Sequence, residues 1–97
     1  MKKLLVALLM VPSVALAAAF SMPNKNGGEI VITDRICSYK DQDYKTLRAA
    51  YSYWNGGFIE GCWLIVDEMV RIIWIREGGG YDVRMYNFTD FSPKKGS

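Results

Sequence analysis

Residues 48–66, RAAYSYWNGGFIEGCWLIV, decide the fold. Two β-rich runs flank Asn55-Gly56, the strongest short hairpin signal a sequence carries. A two-residue turn there sets Tyr53 opposite Phe58. The second run, FIEGCWLIV, places a charged Glu60, a bare Gly61 and a Cys62 among apolar residues, so it reads either as a reactive site or as a stapled strand. Working outward, MVRIIWI and YDVRMYNF repeat the β-rich character, separated by Asp67-Glu68 and by Gly78-Gly79-Gly80. The pattern is an antiparallel meander.

If each turn holds two residues, the register follows, because cross-strand neighbours share a face. Gly61 faces Trp74, Trp63 faces Ile72 and Ile65 faces Val70. In the next strand Met85 faces Ile72 and Val83 faces Trp74. One face then carries Trp63, Ile65, Val70, Ile72, Trp74, Val83 and Met85, which is a core. A glycine opposite a tryptophan leaves room for the indole to lie across the strand, so Gly61 is a packing residue. Glu60 and Cys62 fall on the other face with Leu64, Arg71, Ile73, Ile75, Arg84 and Tyr86, a mixture suited to partial cover by the segment that carries Cys37.

Upstream, residues 29–37, EIVITDRIC, are short and β-branched enough for another strand. The polar stretch after it offers Asp41 or Asp43 as the cap of one helical turn. Residues 18–28 have the Pro, Asn and Gly content of an irregular leader, and residues 92–97 that of a mobile tail. The fold class predicted is mainly β: a single small domain over residues 29–91, an antiparallel meander of four to five strands, open or barrel-like, stapled by one disulfide.

The N-terminus has the grammar of a secretory signal peptide: Lys2-Lys3, a long apolar stretch, then small residues. Cleavage after Ala17 or Ala19 fits best and removes residues 1–17 or slightly more. The apolar run over residues 4–20 spans 17 positions, is broken by Pro12, and is at the short edge of what crosses a bilayer; an uncleaved anchor is the alternative. No membrane span is expected once the leader is removed. Removal takes Lys2 and Lys3 from twelve basic residues and leaves ten against ten acidic ones. A chain so nearly neutral lacks the basic face that nucleic acid or an anionic membrane requires, so no nucleic-acid partner is expected.

A domain of about 80 residues hides only about 60% of the surface of its unfolded chain, and exported examples usually carry a staple. Cys37 and Cys62 are the only cysteines. In an oxidising compartment such a pair reads as one disulfide, worth roughly 3 to 4 kcal/mol in the chain-entropy description.

Catalysis has few residues to work with. The chain has no histidine, which removes the commonest general base, the usual triads and the His-containing zinc sites. Joined cysteines supply no thiolate. Glu60 could partner Asp67 or Glu68 as a glycosidase pair, but the latter two fall at a hairpin tip; Glu60 paired with a cross-strand cation such as Arg71, or exposed at the sheet rim, is the simpler reading. Asp41-Gln42-Asp43 starts like a calcium loop, yet Lys45 occupies a ligand position. The glycines at 78–80 precede neither a Lys-Ser/Thr pair nor a helix, so they read as a turn and not as a phosphate cradle. Asn87-Phe88-Thr89 matches the glycosylation sequon. No metal, cofactor or enzymatic activity is expected. The aromatics point elsewhere: of thirteen Phe, Trp and Tyr residues, Tyr51, Tyr53, Trp54 and Phe58 surround the Asn55-Gly56 turn, where amphipathic rings form either a binding surface or the cap of a small core.

The pattern GGEIVITD, Cys37, AYSYW, GCW and the later Trp74 resembles a group of small exported proteins of proteobacteria and their phages, over residues 27–91. That group has no assigned activity, so the resemblance transfers no catalytic residue. It implies an exported, single-disulfide domain, and its phage setting favours small envelope proteins that modify the host surface or block another agent. The function expected is a non-catalytic binding or inhibitory module of the periplasm or cell exterior, its partner a protein or envelope component. The alternative is a structural envelope component, anchored by its N-terminus or assembled through sheet edges.

Overall fold

The structure, a computed structural model, describes residues 18–94. Seven strands form one antiparallel sheet: β1 (Ala19–Pro23), β2 (Glu29–Tyr39), β3 (Gln42–Trp54), β4 (Gly57–Val66), β5 (Met69–Ile75), β6 (Tyr81–Asn87) and β7 (Ser92–Pro93), with a 3₁₀ turn at Phe88–Asp90 between the last two. Their order across the sheet is β6-β5-β4-β3-β2-β1-β7. The mainly β class and the meander are as the sequence predicts. The strand count is larger, for three local reasons.

The supposed leader contains β1, paired with β2 from Ala19↔Thr33 to Pro23↔Glu29. Asn24 makes that hairpin possible: its side-chain oxygen accepts from the Asn26 and Gly28 amides at 2.9 and 2.8 Å, and its amide group donates to Ser52 Oγ and the Tyr53 carbonyl at 3.0 and 2.9 Å. The supposed helical turn near Asp41 is a second hairpin, in which Lys40 and Asp41 take φ of 54° and 62° and Tyr39 faces Gln42. The supposed mobile tail supplies β7, and the Lys94 amide donates to the Ala19 carbonyl at 2.9 Å. The domain therefore extends beyond residues 29–91 at both ends. Residues 1–17, read as the signal peptide, and 95–97 lie outside the described residues.

The middle register is as predicted: Tyr53↔Phe58, Gly61↔Trp74, Trp63↔Ile72 and Ile65↔Val70. The pairing of β6 is not. Ile72 faces Arg84 and Trp74 faces Asp82, one residue from the expected Met85 and Val83. The connection spans an odd number of residues, 76–80, closed by Arg76 N–H to the Gly80 carbonyl and Gly79 N–H to the Arg76 carbonyl, both at 3.0 Å, with three glycines at positive φ. A shift of one residue turns every side chain over. Val83 and Met85 are consequently 55% and 41% exposed, while Tyr86 turns inward and its hydroxyl accepts from Trp74 Nε1 at 3.1 Å. Ile65 is also exposed, because the β3–β4 ladder ends at Arg48↔Trp63 and, among the described residues, leaves the end of β4 paired with β5 alone.

The sheet coils. Asn87 and Ser92 are five Cα steps apart, a reach of at most about 18 Å, whereas six strand spacings of about 4.8 Å would set β6 and β7 about 29 Å apart in a flat sheet. The short link draws the edges together, and Phe20–Phe88 and Tyr86–Phe91 meet across the gap with ring centroids 5.9 and 6.2 Å apart. The barrel stays open, since β6 and β7 do not pair. Its inner face holds the core, Ile30, Ile32, Ala50, Val70, Ile72, Trp74 and Phe91. Ile32 and Ile72 share that cluster although β3 and β4 separate their strands, which identifies this face as the concave one.

Candidate functional site

Four rings around the β3–β4 turn are the binding candidates, and strand alternation divides them. Tyr51 and Tyr53 lie two residues apart on β3 and point to the outer, convex face, with Phe58 opposite Tyr53. Tyr51 stacks on Tyr53 at 6.3 Å and 27°, and on Phe58 at 6.0 Å and 26°. Phe58 is 61% exposed and Tyr53 37%. Trp54, one residue along, belongs to the inner face, where it borders a cleft with Ile30, Ile59, Trp74 and Arg84. A Cβ on Gly57 would stand 2.3 Å from the Trp54 ring, so that glycine gives the indole its seat. The outer site is therefore a row of three rings.

Tyr53 is fixed at its far end. Its hydroxyl donates to Glu29 Oε1 at 2.9 Å, and the same oxygen takes the Lys94 ammonium at 2.9 Å. The Lys94 hydrogen bond, followed by that of Tyr53, holds the Glu29 carboxyl below the usual carboxylate range against a small opposing effect of burial. The Glu29 hydrogen bond in turn raises both the Tyr53 phenol and the Lys94 ammonium above their ordinary values. Glu29, Lys94 and Asn24 escape a sequence reading, because each acts on residues at least 24 positions away or through a turn whose Asn and Gly content signals only irregularity. The Asn-Lys-Asn-Gly-Gly cluster is the one available cue to Asn24.

The remaining sequence candidates are structural. Cys37 and Cys62 are bonded with Cα atoms 5.6 Å apart. Since β3 lies between β2 and β4, their Cα atoms in a flat sheet would be about 10 Å apart; the far half of the β2–β3 hairpin must fold over the outer face. Register shifts between Ile32 and Ile36 and between Ile36 and Cys37 allow the bend. The fold leaves a cleft lined by Tyr39, Tyr44, Leu47, Cys62, Ile73, Ile75 and Tyr81. Trp63 lies on the inner face, away from Cys62, packs against the core beside Ile72 and donates from Nε1 to the Thr33 carbonyl at 2.8 Å. Gly61 sits under Trp74: an added Cβ would be 3.0 Å from Cε3 of that ring and 2.6 Å from the Ile73 carbonyl oxygen.

Glu60 is exposed on the outer face between Tyr51 and Ile75. The proposed cation Arg71 stands opposite Leu64 and does not face it. Asp67 and Glu68 form the β4–β5 turn, at the far end of β4 from Glu60, so the carboxylates considered for sugar hydrolysis are not brought together. Among the described residues no cluster of three or more His, Cys, Asp or Glu is placed to hold a metal, and no helix is long and apolar enough to cross a membrane.

No protein family, curated protein or solved structure matches this chain.

Proposed function

We propose that this chain is an exported, non-catalytic binding or inhibitory module of the periplasm or cell envelope, and that it meets its partner through Tyr51, Tyr53 and Phe58. The observation that carries this reading is the row itself. Three stacked rings stand on the convex face of a sheet, with Phe58 largely open to solvent. Rings ordered in advance contribute contact area at low entropic cost, and Glu29 and Lys94 order Tyr53 from behind. The cysteines are joined, a state that suits an oxidising compartment, and the signal-peptide grammar supports the export route. The resemblance to small proteins of proteobacteria and their phages supports an envelope setting, with a phage-encoded agent acting on the host surface as its specific form.

The test is crosslinking in the exporting cell with a photoreactive residue at Glu60, beside the rings. A discrete adduct is expected with the wild-type rings. Tyr51→Ala with Phe58→Ala should weaken it roughly thirtyfold, the loss expected when central aromatic anchors are truncated. Adducts of equal yield in both proteins would remove the rings from the interface.

A further inference from the structure

We propose that two copies of this chain join through β6, antiparallel about a two-fold axis at Val83, so that their sheets become continuous. The two edges of the sheet differ in kind. At one end β7 is two residues long and includes Pro93, which has no N–H to offer. At the other, β6 runs for seven residues, YDVRMYN, without proline, lysine, glycine or a register shift, and among the described residues it has a neighbour on one side only. Its two charges, Asp82 and Arg84, are of opposite sign, so they protect the edge only against partners that do not pair them.

The backbone and the charges specify how a second copy would fit. Because Arg76 N–H donates to the Gly80 carbonyl, the Arg76–Gly80 pair is of the hydrogen-bonded kind, and such pairs alternate along the ladder. Asp82, Arg84 and Tyr86 therefore turn their peptide groups toward β5, and Tyr81, Val83 and Met85 turn theirs outward. An identical strand docked antiparallel can then be centred on any residue of β6 without orphaning the outward groups. Charge selects among these registers. Centring on Asp82 or on Arg84 sets two like charges against each other, and centring on Met85 leaves both charges without an opposite partner. Centring on Val83 sets Asp82 opposite Arg84 of the second copy, and Arg84 opposite its Asp82. The same register lays the exposed Tyr81 beside Met85 of the second copy and Val83 beside Val83, continuing an apolar row across the joint. Asp82 already meets Arg76 through Oδ1 at 3.3 Å, which leaves its other carboxylate oxygen for Arg84.

Sedimentation velocity of the disulfide-bonded protein over a concentration series tests this. The wild type should reach dimer mass. Asp82→Arg and Arg84→Asp each place like charges at both symmetry-related pairs and should weaken the dimer at least tenfold, roughly the sum of two attractive cross-strand pairs lost and two repulsive ones gained. The first variant is basic at both positions and the second acidic at both. Mixed in equal amounts, they oppose unlike charges at both pairs across the joint, so the mixture should recover dimer that neither forms alone. Recovery also shows that both variants are folded. A wild type that stays monomeric, single variants that dimerise as the wild type does, or a mixture that stays monomeric would each overturn the proposal; so would a monomer that gains mass only on adding an extended peptide. Tyr51→Ala with Phe58→Ala should dimerise normally, so the outcome is separable from that of the ring surface.

Discussion

At the scale of single residues, β4 turns Cys62 to the outer face, where it is bonded to Cys37, and Gly61 and Trp63 to the inner one, opposite Trp74 and Ile72. Cys62, Trp63 and Gly61 fall where period-two geometry puts them, because the residues opposite them belong to the next hairpin and the register needs only a two-residue turn. Gly61 yields a direct prediction. Its missing Cβ would lie 2.6 Å from the Ile73 carbonyl oxygen, a backbone atom held in the ladder, as well as against Trp74. Gly61→Ala should therefore cost about 1 to 3 kcal/mol, an overpacking penalty read as a lower denaturant midpoint; an unchanged midpoint would show that β4 and β5 separate freely there. Glu29 shows what the sequence hides, since its partners Tyr53 and Lys94 reach it only through the coiled sheet. Its carboxyl is held low, so the folded state gains from Glu29 above the ordinary carboxylate pKa and loses that gain as pH falls through the lowered value. Lys94 is held high, so its share is fully present below the ordinary lysine value and is lost as pH rises through the raised one. Glu29→Gln should flatten the acid limb of the stability profile and lower its neutral region by the same amount, which is small because the groups are exposed.

Elements were legible where one turn joined two β-rich runs and misread where the turn chemistry was unusual. Positive φ at both central residues, the signature of the tightest hairpins, falls on Lys40-Asp41 and Asp67-Glu68, whereas at Asn55-Gly56 only Gly56 is positive. Polar residues without glycine thus close two hairpins, and one of these passed for a helix cap. At residues 76–80 the glycines signal a turn but not whether its length is odd or even, and parity alone decides which face of β6 is buried. The strain at the β4–β5 turn predicts an improvement. Asp67 and Glu68 hold φ of 52° and 66°, a region that costs an L-residue roughly 1 to 2 kcal/mol and glycine little. Asp67→Asn with Glu68→Gly should raise stability by about 1 kcal/mol, after the greater freedom that glycine gives the unfolded chain is subtracted. Denaturant titration at unchanged slope is the check, and a fall in midpoint would mean that the Glu68 side chain contributes more than its backbone costs.

At the scale of the whole molecule, the disulfide was readable from the cysteine count and the signal-peptide grammar, but the coil it accompanies depends on a link too short for a flat sheet. The staple ties the outer hairpin to β4, and the inner core of Ile30, Ile32, Val70 and Ile72 does not touch it through a shared strand face. Cys37→Ala with Cys62→Ala should cost about 2 to 5 kcal/mol, with hydrogen exchange quickening first over residues 36–47 and last over β5; uniform quickening would make the hairpin and core one cooperative unit. The expected signal cleavage belongs to this scale too, because it falls at the start of β1, which pairs with both β2 and β7. The Ala18 amide nitrogen lies 3.2 Å from Asp34 Oδ2, its carbonyl accepts from the Asp34 amide at 3.2 Å, and the Ala19 carbonyl accepts from Lys94. Of the two cleavage positions that the signal grammar allows, a cut after Ala17 keeps all three contacts and turns the first into an ion pair between a new α-ammonium and Asp34. A cut after Ala19 removes all three. If the signal peptide is removed, a chain that begins at Ala18 keeps these contacts, and Asp34→Asn should then lower its stability modestly, by an amount that shrinks with added salt. Intact mass of the exported chain decides between the two starts, and a chain beginning at Phe20 would show that β1 holds its place without either contact of Ala18.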